Sequence, residues 1–484
     1  MNFPYDENKK IASSLLLILA FSLFTLSCKK NKPAPNPPKS SEKAITSFVF
    51  EAVDNSTVLL ADVAGSIGTD SIIVKIDQGL NISSLVPTIT YSGSTISPAN
   101  TVAQNFNNIV SYTVTADDGS TKKYFVKIML VTANQKIFVG SDDGNLYALN
   151  ALHGTLLWKY TTGGAIQSSP TLINNTVYVG SNDKYLYAID ALTGVLKWKY
   201  LTAAPIRSES PVVSNGKVFI GCANAYPDGT VYALNATTGA LIWNNLVAVP
   251  TSPTVSGGKV YSCTMGGSYY ALDEVNGITV WSRNICLTRS NPAISNGKIY
   301  IEGSTGTGQI ICVDANTGNP IWNTACQSAN SGPTVDDGSV YISSSVATLQ
   351  YLEAFDATTG NFKWRYSPLH VGNLNSPVTS CPVSSGNYIY GGFHYGQFYA
   401  LNKLTGTIAW QFGSAIESGV WFSNPAVANG VVYVGGYDKY VYALNALTGV
   451  QKWKFLTTGT VYSGPCILDS DGVIFHSGAS GSKN

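Results

Sequence analysis

Between about residue 132 and residue 480, apolar and polar positions alternate in runs of a few residues, the period of a strand with one buried face. Ser169-Pro-Thr-Leu-Ile173, Thr176-Val-Tyr-Val-Gly180, Tyr185-Leu-Tyr-Ala-Ile-Asp190 and Val195-Leu-Lys-Trp-Lys-Tyr200 follow one another. The breaks fall at Asn174-Asn175, Ser181-Asn-Asp-Lys184 and Ala191-Leu-Thr-Gly194, all rich in turn formers. No segment holds apolar residues at helical spacing over a useful length. The unit reads as four short strands joined by tight turns.

This unit recurs, and its marker is a tryptophan four residues after a glycine. The tryptophans are Trp158, Trp198, Trp243, Trp281, Trp322, Trp364, Trp410 and Trp453, at intervals of 38 to 46 residues. The glycines are Gly154, Gly194, Gly239, Gly277, Gly318, Gly360, Gly406 and Gly449. Such a period signals a ring or solenoid of repeats. Four short strands per repeat is the blade of a β-propeller, which stacks its sheets around an axis and leaves few free edges. The tryptophans are expected to fill the space between blades, a structural role, and each glycine to allow a tight turn with positive φ. Innermost strands are expected after Pro170, Pro211, Pro253, Pro292, Pro333, Pro377, Pro425 and Pro465. The array opens without such a strand, at Gln135-Lys-Ile-Phe-Val-Gly140, and closes with one, Gly464-Pro-Cys-Ile-Leu468. The last strand is expected to complete the first blade, giving eight blades. Asp471-Gly-Val-Ile-Phe-His476 is left over without a place.

Upstream the pattern changes. Over residues 41–131 strand-like alternation appears at Ile45–Phe50, Ser71–Ile76, Val110–Thr115 and Lys123–Ile128, with a hairpin signal at Asp117-Asp-Gly-Ser120. A small β-sandwich is expected there. The fold class is therefore all-β: an eight-bladed propeller over 132–484 behind a sandwich. Residues 1–27 read as a signal segment, with two lysines before the apolar run Ile11–Leu26. Residues 28–40 carry Pro33, Pro35, Pro37 and Pro38, a stiff extended tether.

Composition narrows the chemistry. Charged residues make up 12% of the chain, against about 25% in an average soluble domain. Net charge is +1 and no basic stripe is visible, so nucleic acid is not an expected partner. Apart from Cys28, the cysteines are Cys222, Cys263, Cys286, Cys312, Cys326, Cys381 and Cys466. None forms a CxxC pair, and the histidines are only His153, His370, His394 and His476, so no metal site is expected. Cys222 with Cys263, and Cys286 with Cys326, stand at similar places in neighbouring repeats. Each pair is a candidate disulfide, and buried free thiols are the alternative.

Three resemblances extend this reading. Thr25-Leu-Ser-Cys28 resembles a bacterial lipoprotein signal, which implies cleavage before Cys28 and a lipid on its thiol, hence a bilayer as partner. Leu85-Val-Pro-Thr-Ile-Thr-Tyr-Ser-Gly, Ile96-Ser-Pro and Tyr112-Thr-Val-Thr-Ala-Asp-Asp-Gly-Ser resemble an Ig-like module of Bacteroidetes surface lipoproteins, which implies a spacer or adhesion unit. Asp190-Ala-Leu-Thr-Gly194…Trp198, Asp356-Ala-Thr-Thr-Gly360…Trp364 and Asn445-Ala-Leu-Thr-Gly449…Trp453 resemble the pyrroloquinoline-quinone-type propeller repeat. That repeat occurs both in quinoprotein dehydrogenases and in outer-membrane assembly scaffolds of the BamB type. The dehydrogenases use vicinal cysteines, and no two cysteines are adjacent here. No catalytic set and no cofactor are expected.

The segments before the inner prolines are where the repeats disagree, and loops on a rigid frame are where function concentrates. Candidate ligand-binding residues at this channel mouth are Gln167, Arg207, Glu209, Arg289, Asn330, Asn375, Trp421 and Tyr462. Trp421 is the one tryptophan outside the repeat rule. Aromatic, amide and arginine groups converging there suit a sugar, a peptide terminus or a small anion, and the expected partner is a glycan, a peptide or an envelope protein. The expected function is a non-enzymatic envelope binding or adhesion protein, facing the periplasm or the cell surface from the outer membrane. A BamB-type scaffold and a quinoprotein-like dehydrogenase are the alternatives.

Overall fold

The computed structural model describes residues 38–468 and 474–476, apart from 57, 60–61, 78–79, 132–134, 226–227, 248–250, 265–266, 285–290, 305–307, 327, 330, 347–348, 368–379, 394–396 and 414–422. The signal segment, Cys28 and most of the tether lie outside the described residues, as do Cys286, His370 and His394.

The N-terminal unit is two facing sheets. One joins Ile45–Phe50 to Val63–Ala64 and Thr88–Tyr91. The other orders Ser66–Ile67, Ser71–Asp77, Thr121–Val131, Val110–Thr115 and Thr95–Ser97, with Ser71–Asp77 parallel to Thr121–Val131. Between them Phe48, Phe50, Phe106 and Tyr112 meet edge to face with ring centroids 5.0–6.4 Å apart, the arrangement aromatic quadrupoles favour.

The remainder is a ring of eight antiparallel blades. Blade 2 runs from the axis outward as Thr171–Ile173, Thr176–Gly180, Tyr185–Asp190 and Leu196–Leu201, and the pattern repeats through blade 8, which ends at Gln451–Leu456. Blade 1 takes its inner strand from the far end of the chain: Cys466–Leu468 pairs with Lys136–Gly140. The leftover segment also has a place. Ile474–His476 pairs with Cys466–Leu468 on the axial side, a fifth strand inside the ring that reaches the inner strands of blades 2 and 8. Adjacent inner strands touch all the way round the axis.

One seam, repeated eight times, holds the blades together. Each repeat tryptophan lies opposite a small residue on its neighbouring strand, Ala in seven blades and Cys312 in blade 5. Its indole N–H donates to a turn carbonyl of the next blade: Trp158 to Ala191, Trp198 to Ala236, and finally Trp453 to Ala151, which closes the circle. The repeat glycine of that next turn sits on the indole face. Gly194 has φ 73°, and a Cβ there would lie 2.7 Å from Trp158. Glycine alone satisfies both the backbone angle and the close approach. Tyrosines of the second strands reinforce the seam. Tyr178, for example, donates its hydroxyl to the same Ala236 carbonyl that Trp198 uses, at 2.8 Å.

Two expectations need correction. The inner strand of blade 7 follows Pro382, not Pro377: Val383–Ser385 pairs with Tyr388–Phe393, and Thr334 of blade 6 donates to the Pro382 carbonyl as Thr254 of blade 4 donates to Pro292. The Cys222–Cys263 bridge does not form: both thiols are buried and neither is in a disulfide. Cys222 is the sixth residue of its strand and Cys263 the fifth of its own, and a one-residue offset turns a strand side chain to the other face. Cys222 therefore packs toward blade 2 with Tyr178 and Ile206, and Cys263 toward blade 5 with Ile299 and Ile301. Cys326 is also buried and in no disulfide.

Candidate functional site

The inner strands all begin at one end of the channel, and the residue before each inner proline is a station on a ring around that mouth. The backbone amide of one station donates to the side chain of the same station in the next blade. Ser169 donates to Ser210 at 3.1 Å, Ser210 to Ser252 at 2.8 Å, and Ser252 to Asn291 Oδ1 at 3.0 Å. Gly332 donates to Cys381 Sγ, Cys381 to Asn424 Oδ1 at 2.8 Å, and Gly464 back to Ser169 at 2.9 Å. Beneath this ring, the residue two before the proline ties the inner strand to the next strand outward. Ser168, Ser331, Ser380, Ser423 and Ser463 accept from the amides of Gly180, Ser343, Gly392, Gly435 and Gly140. Backbone donors that would otherwise be orphaned at strand ends are thus satisfied by short hydroxyl side chains.

Of the residues predicted for the mouth, Gln167 and Tyr462 come together where blades 8, 1 and 2 meet. Gln167 Nε2 donates to Asp142 Oδ1 at 2.9 Å, and Tyr462 meets Tyr437 edge to face at 6.3 Å. Burial raises the Asp142 carboxyl above the usual range against the Gln167 hydrogen bond, and nearby Asp143 adds to the rise. Asp143 moves the other way. Against burial, hydrogen bonds from Tyr147 and Thr458 hold it at about 2. Arg207 and Glu209 form a separate group in blade 3, where Glu209 replaces the hydroxyl residue of the other blades. Its carboxylate accepts from the Arg207 amide at 2.7 Å, and burial raises its pKa. Arg289, Asn330, Asn375 and Trp421 lie outside the described residues. The corrected register gives Asn375's assumed station to Ser380 and Cys381. His153 lies in the turn after Asn150, on the opposite face, where its amide donates to Asn150 Oδ1.

A buried acidic pair between blades 5 and 6 escaped sequence reasoning. Glu353 is fully buried, accepts from Arg365 Nε at 2.8 Å and Nη2 at 2.5 Å, and accepts from Ser344 at 2.5 Å. Glu302 is also buried. Burial, then the Glu353 charge, push its pKa well up, and the Ser331 amide works in the opposite direction. Burial is also the main reason the Cys381 thiol rises to about 11, with Glu302 contributing. The signal was available as a misfit in the repeat. Glu302 occupies the fifth position of its strand, where blades 1, 2, 3, 7 and 8 have glycine. Glu353 stands where Tyr147, Tyr187, Tyr232, Tyr270, Tyr399 and Tyr442 stand. Because the folded state keeps Glu302 protonated above the normal carboxyl range, stability should decline as pH rises from about 4.3 through the raised value. Glu302→Gln should match the wild type in urea midpoint at pH 4 and exceed it increasingly toward pH 8. Parallel midpoint curves would show that Glu302 does not titrate in this way.

Among the described residues no group of three or more His, Cys, Asp or Glu is arranged to hold a metal ion. Comparisons with known proteins place this architecture. The family model described as "Outer membrane protein assembly factor BamB" matches residues 115–251, 205–286, 286–413 and 350–481. The model described as "SGBP, N-terminal" matches residues 45–128. Among solved structures, BamB from Moraxella catarrhalis is 22% identical and aligns over 66% of this chain and 91% of its own, with a TM-score of 0.51. The computationally designed Ika8 protein is 16% identical, over 68% and 95%, at 0.52. The dihydro-heme d1 dehydrogenase NirN is 12% identical, over 69% and 75%, at 0.54. At these identities the likeness is one of fold, shared by a scaffold, a design and an enzyme. No curated protein matches the chain. The repeats spanning 115–481 make this chain a member of the family of the outer membrane protein assembly factor BamB, with an SGBP N-terminal unit preceding its propeller.

Proposed function

We propose that the protein is a non-enzymatic binding protein of the outer membrane or cell surface, anchored through a lipid on Cys28, with the proline-end mouth of the propeller as its ligand face and a glycan as its ligand. The observation that carries this reading is the contrast within one ring. The Trp–Gly seam repeats in all eight blades, while the mouth presents different groups in different sectors: Gln167, Asp142 and Tyr462 in one, Arg207 and Glu209 in another. A frame held constant with one variable face is the layout of a binding scaffold. The pairing with an SGBP N-terminal unit supports the same reading. Function is argued here from that face, because the fold hosts enzymes as well.

The test is a binding screen of the full chain, purified in detergent, against a glycan array and immobilised surface proteins. Saturable binding to a glycan is the expected result, and blanks on both panels would contradict the proposal. The BamB family match favours a second reading, an assembly scaffold facing the periplasm. Co-purification of an outer-membrane assembly complex, with the propeller protected when intact cells are shaved by protease, would establish that reading instead.

A further inference from the structure

The hydrogen-bonded ring at the mouth has eight stations and six closed links. Stations Gly332 and Gly464 have no side chain to offer the preceding blade, so the amides of Asn291 and Asn424 face the two openings. Among the described residues no acceptor meets either amide. Both residues are half-buried. Their side chains are engaged in the ring, Asn291 Oδ1 accepting from Ser252 and Asn424 Oδ1 from Cys381. Neither glycine is required by the backbone: Gly332 and Gly464 are absent from the positive-φ residues, and six sister stations carry side chains. Their effect is to leave two donor notches in a ring whose other six links are closed.

We infer that these notches are a ligand subsite, in which the Asn291 and Asn424 amides donate to two hydroxyl or ring oxygens of one glycan. The inference rests on the binding reading above and names the contacts. The surroundings favour a neutral polyol. Glu302 is buried near the Ser331 amide, next to the Gly332 notch, and Asp142 and Glu209 add further carboxyls at the same mouth, groups that can pair with sugar hydroxyls. Thr251, just before Ser252, has a buried hydroxyl with no partner among the described residues. A sugar hydroxyl accepts from an amide and donates to a carboxyl or hydroxyl at once, whereas a peptide carbonyl only accepts. Glycine at the notch also lets a ligand approach the backbone closely.

The test uses the full chain labelled with 15N-asparagine, titrated with cellohexaose, maltoheptaose and chitohexaose, and separately with a blocked trialanine peptide. At least one oligosaccharide should shift the Asn291 and Asn424 amides in a saturable manner. Gly332→Ser and Gly464→Ser, which rebuild the missing acceptors, should each weaken that oligosaccharide at least tenfold, while Leu447→Ser, in an exposed turn on the opposite face, should leave its affinity unchanged. Binding that leaves both amides unmoved and is indifferent to the two glycine variants would overturn the subsite and spare the binding function. Shifts produced by the peptide alone would overturn the ligand class. Silence from all three oligosaccharides, when another glycan on the array binds without moving the two amides, would also overturn the subsite. A blank array as well would remove the binding reading with it.

Discussion

Trp453→Ala is expected to destabilise the propeller by about 3–5 kcal/mol, the usual cost of emptying a buried aromatic site. Trp453 is 7% exposed, donates to the Ala151 carbonyl at 3.0 Å, and covers Gly154. Its seam joins the two ends of the array, so the loss falls where blade 1 is completed by a strand from the far end of the chain. Blade 1 amides in Lys136–Gly140 should lose hydrogen-exchange protection before those of blades 3 to 6. Chemical denaturation with site-resolved exchange reads both effects. A midpoint within experimental scatter of wild type would mean that the indole is not part of the seam.

Arg365→Met should cost about 3 kcal/mol, the range for removing one member of a buried ion pair. The arginine is 36% exposed and its partner Glu353 fully buried, so the variant leaves a buried carboxylate without its cation while Ser344 still donates to it. The double variant Arg365→Met/Glu353→Tyr restores the tyrosine that six other blades carry and should recover most of the loss. If the double variant were as unstable as the single one, the destabilisation would lie in the lost stacking of the guanidinium on Tyr351 and Phe362, and not in the buried charge.

Much of the fold was readable in advance because the repeat makes each blade a control for the others. The Trp–Gly spacing, the missing first inner strand and the spare one at Pro465 together predict eight blades closed by the C-terminal end, and the pairing of Cys466–Leu468 with Lys136–Gly140 is that closure. The long connection after Trp364 offers three prolines, Pro368, Pro377 and Pro382, so the sequence alone does not single out the inner one. In every other blade where an inner proline precedes its second strand directly, that strand begins six residues later, as Pro170 precedes Thr176, and only Pro382 keeps that interval. Ile474–His476 had no place because a fifth, axial strand is not part of the repeat. The site was less legible. The stations that build the mouth ring are serines, glycines, asparagines and Cys381, most of them residue types that elsewhere in this chain form turns, and their role depends on inter-blade geometry. Glu302 and Glu353 give no signal in histidine or cysteine spacing and show in the sequence only as residues that break the repeat register. The disulfide expectation failed for a related reason: similar position in neighbouring repeats was taken as proximity, whereas the one-residue offset sends Cys222 and Cys263 to opposite faces.

The chain closes on itself through its last inner strand, and the mouth exists only in a closed ring. Lys136 and Leu468 are paired partners across that closure. Paired residues in an antiparallel ladder stand about 4.5–5.5 Å apart at Cα, within disulfide reach. Mild oxidation of the Lys136→Cys/Leu468→Cys variant, followed by peptide mapping, should yield an intramolecular 136–468 cross-link in nearly all molecules without loss of folded structure. Two free thiols at those positions, or cross-links only between separate chains, would contradict the closed ring.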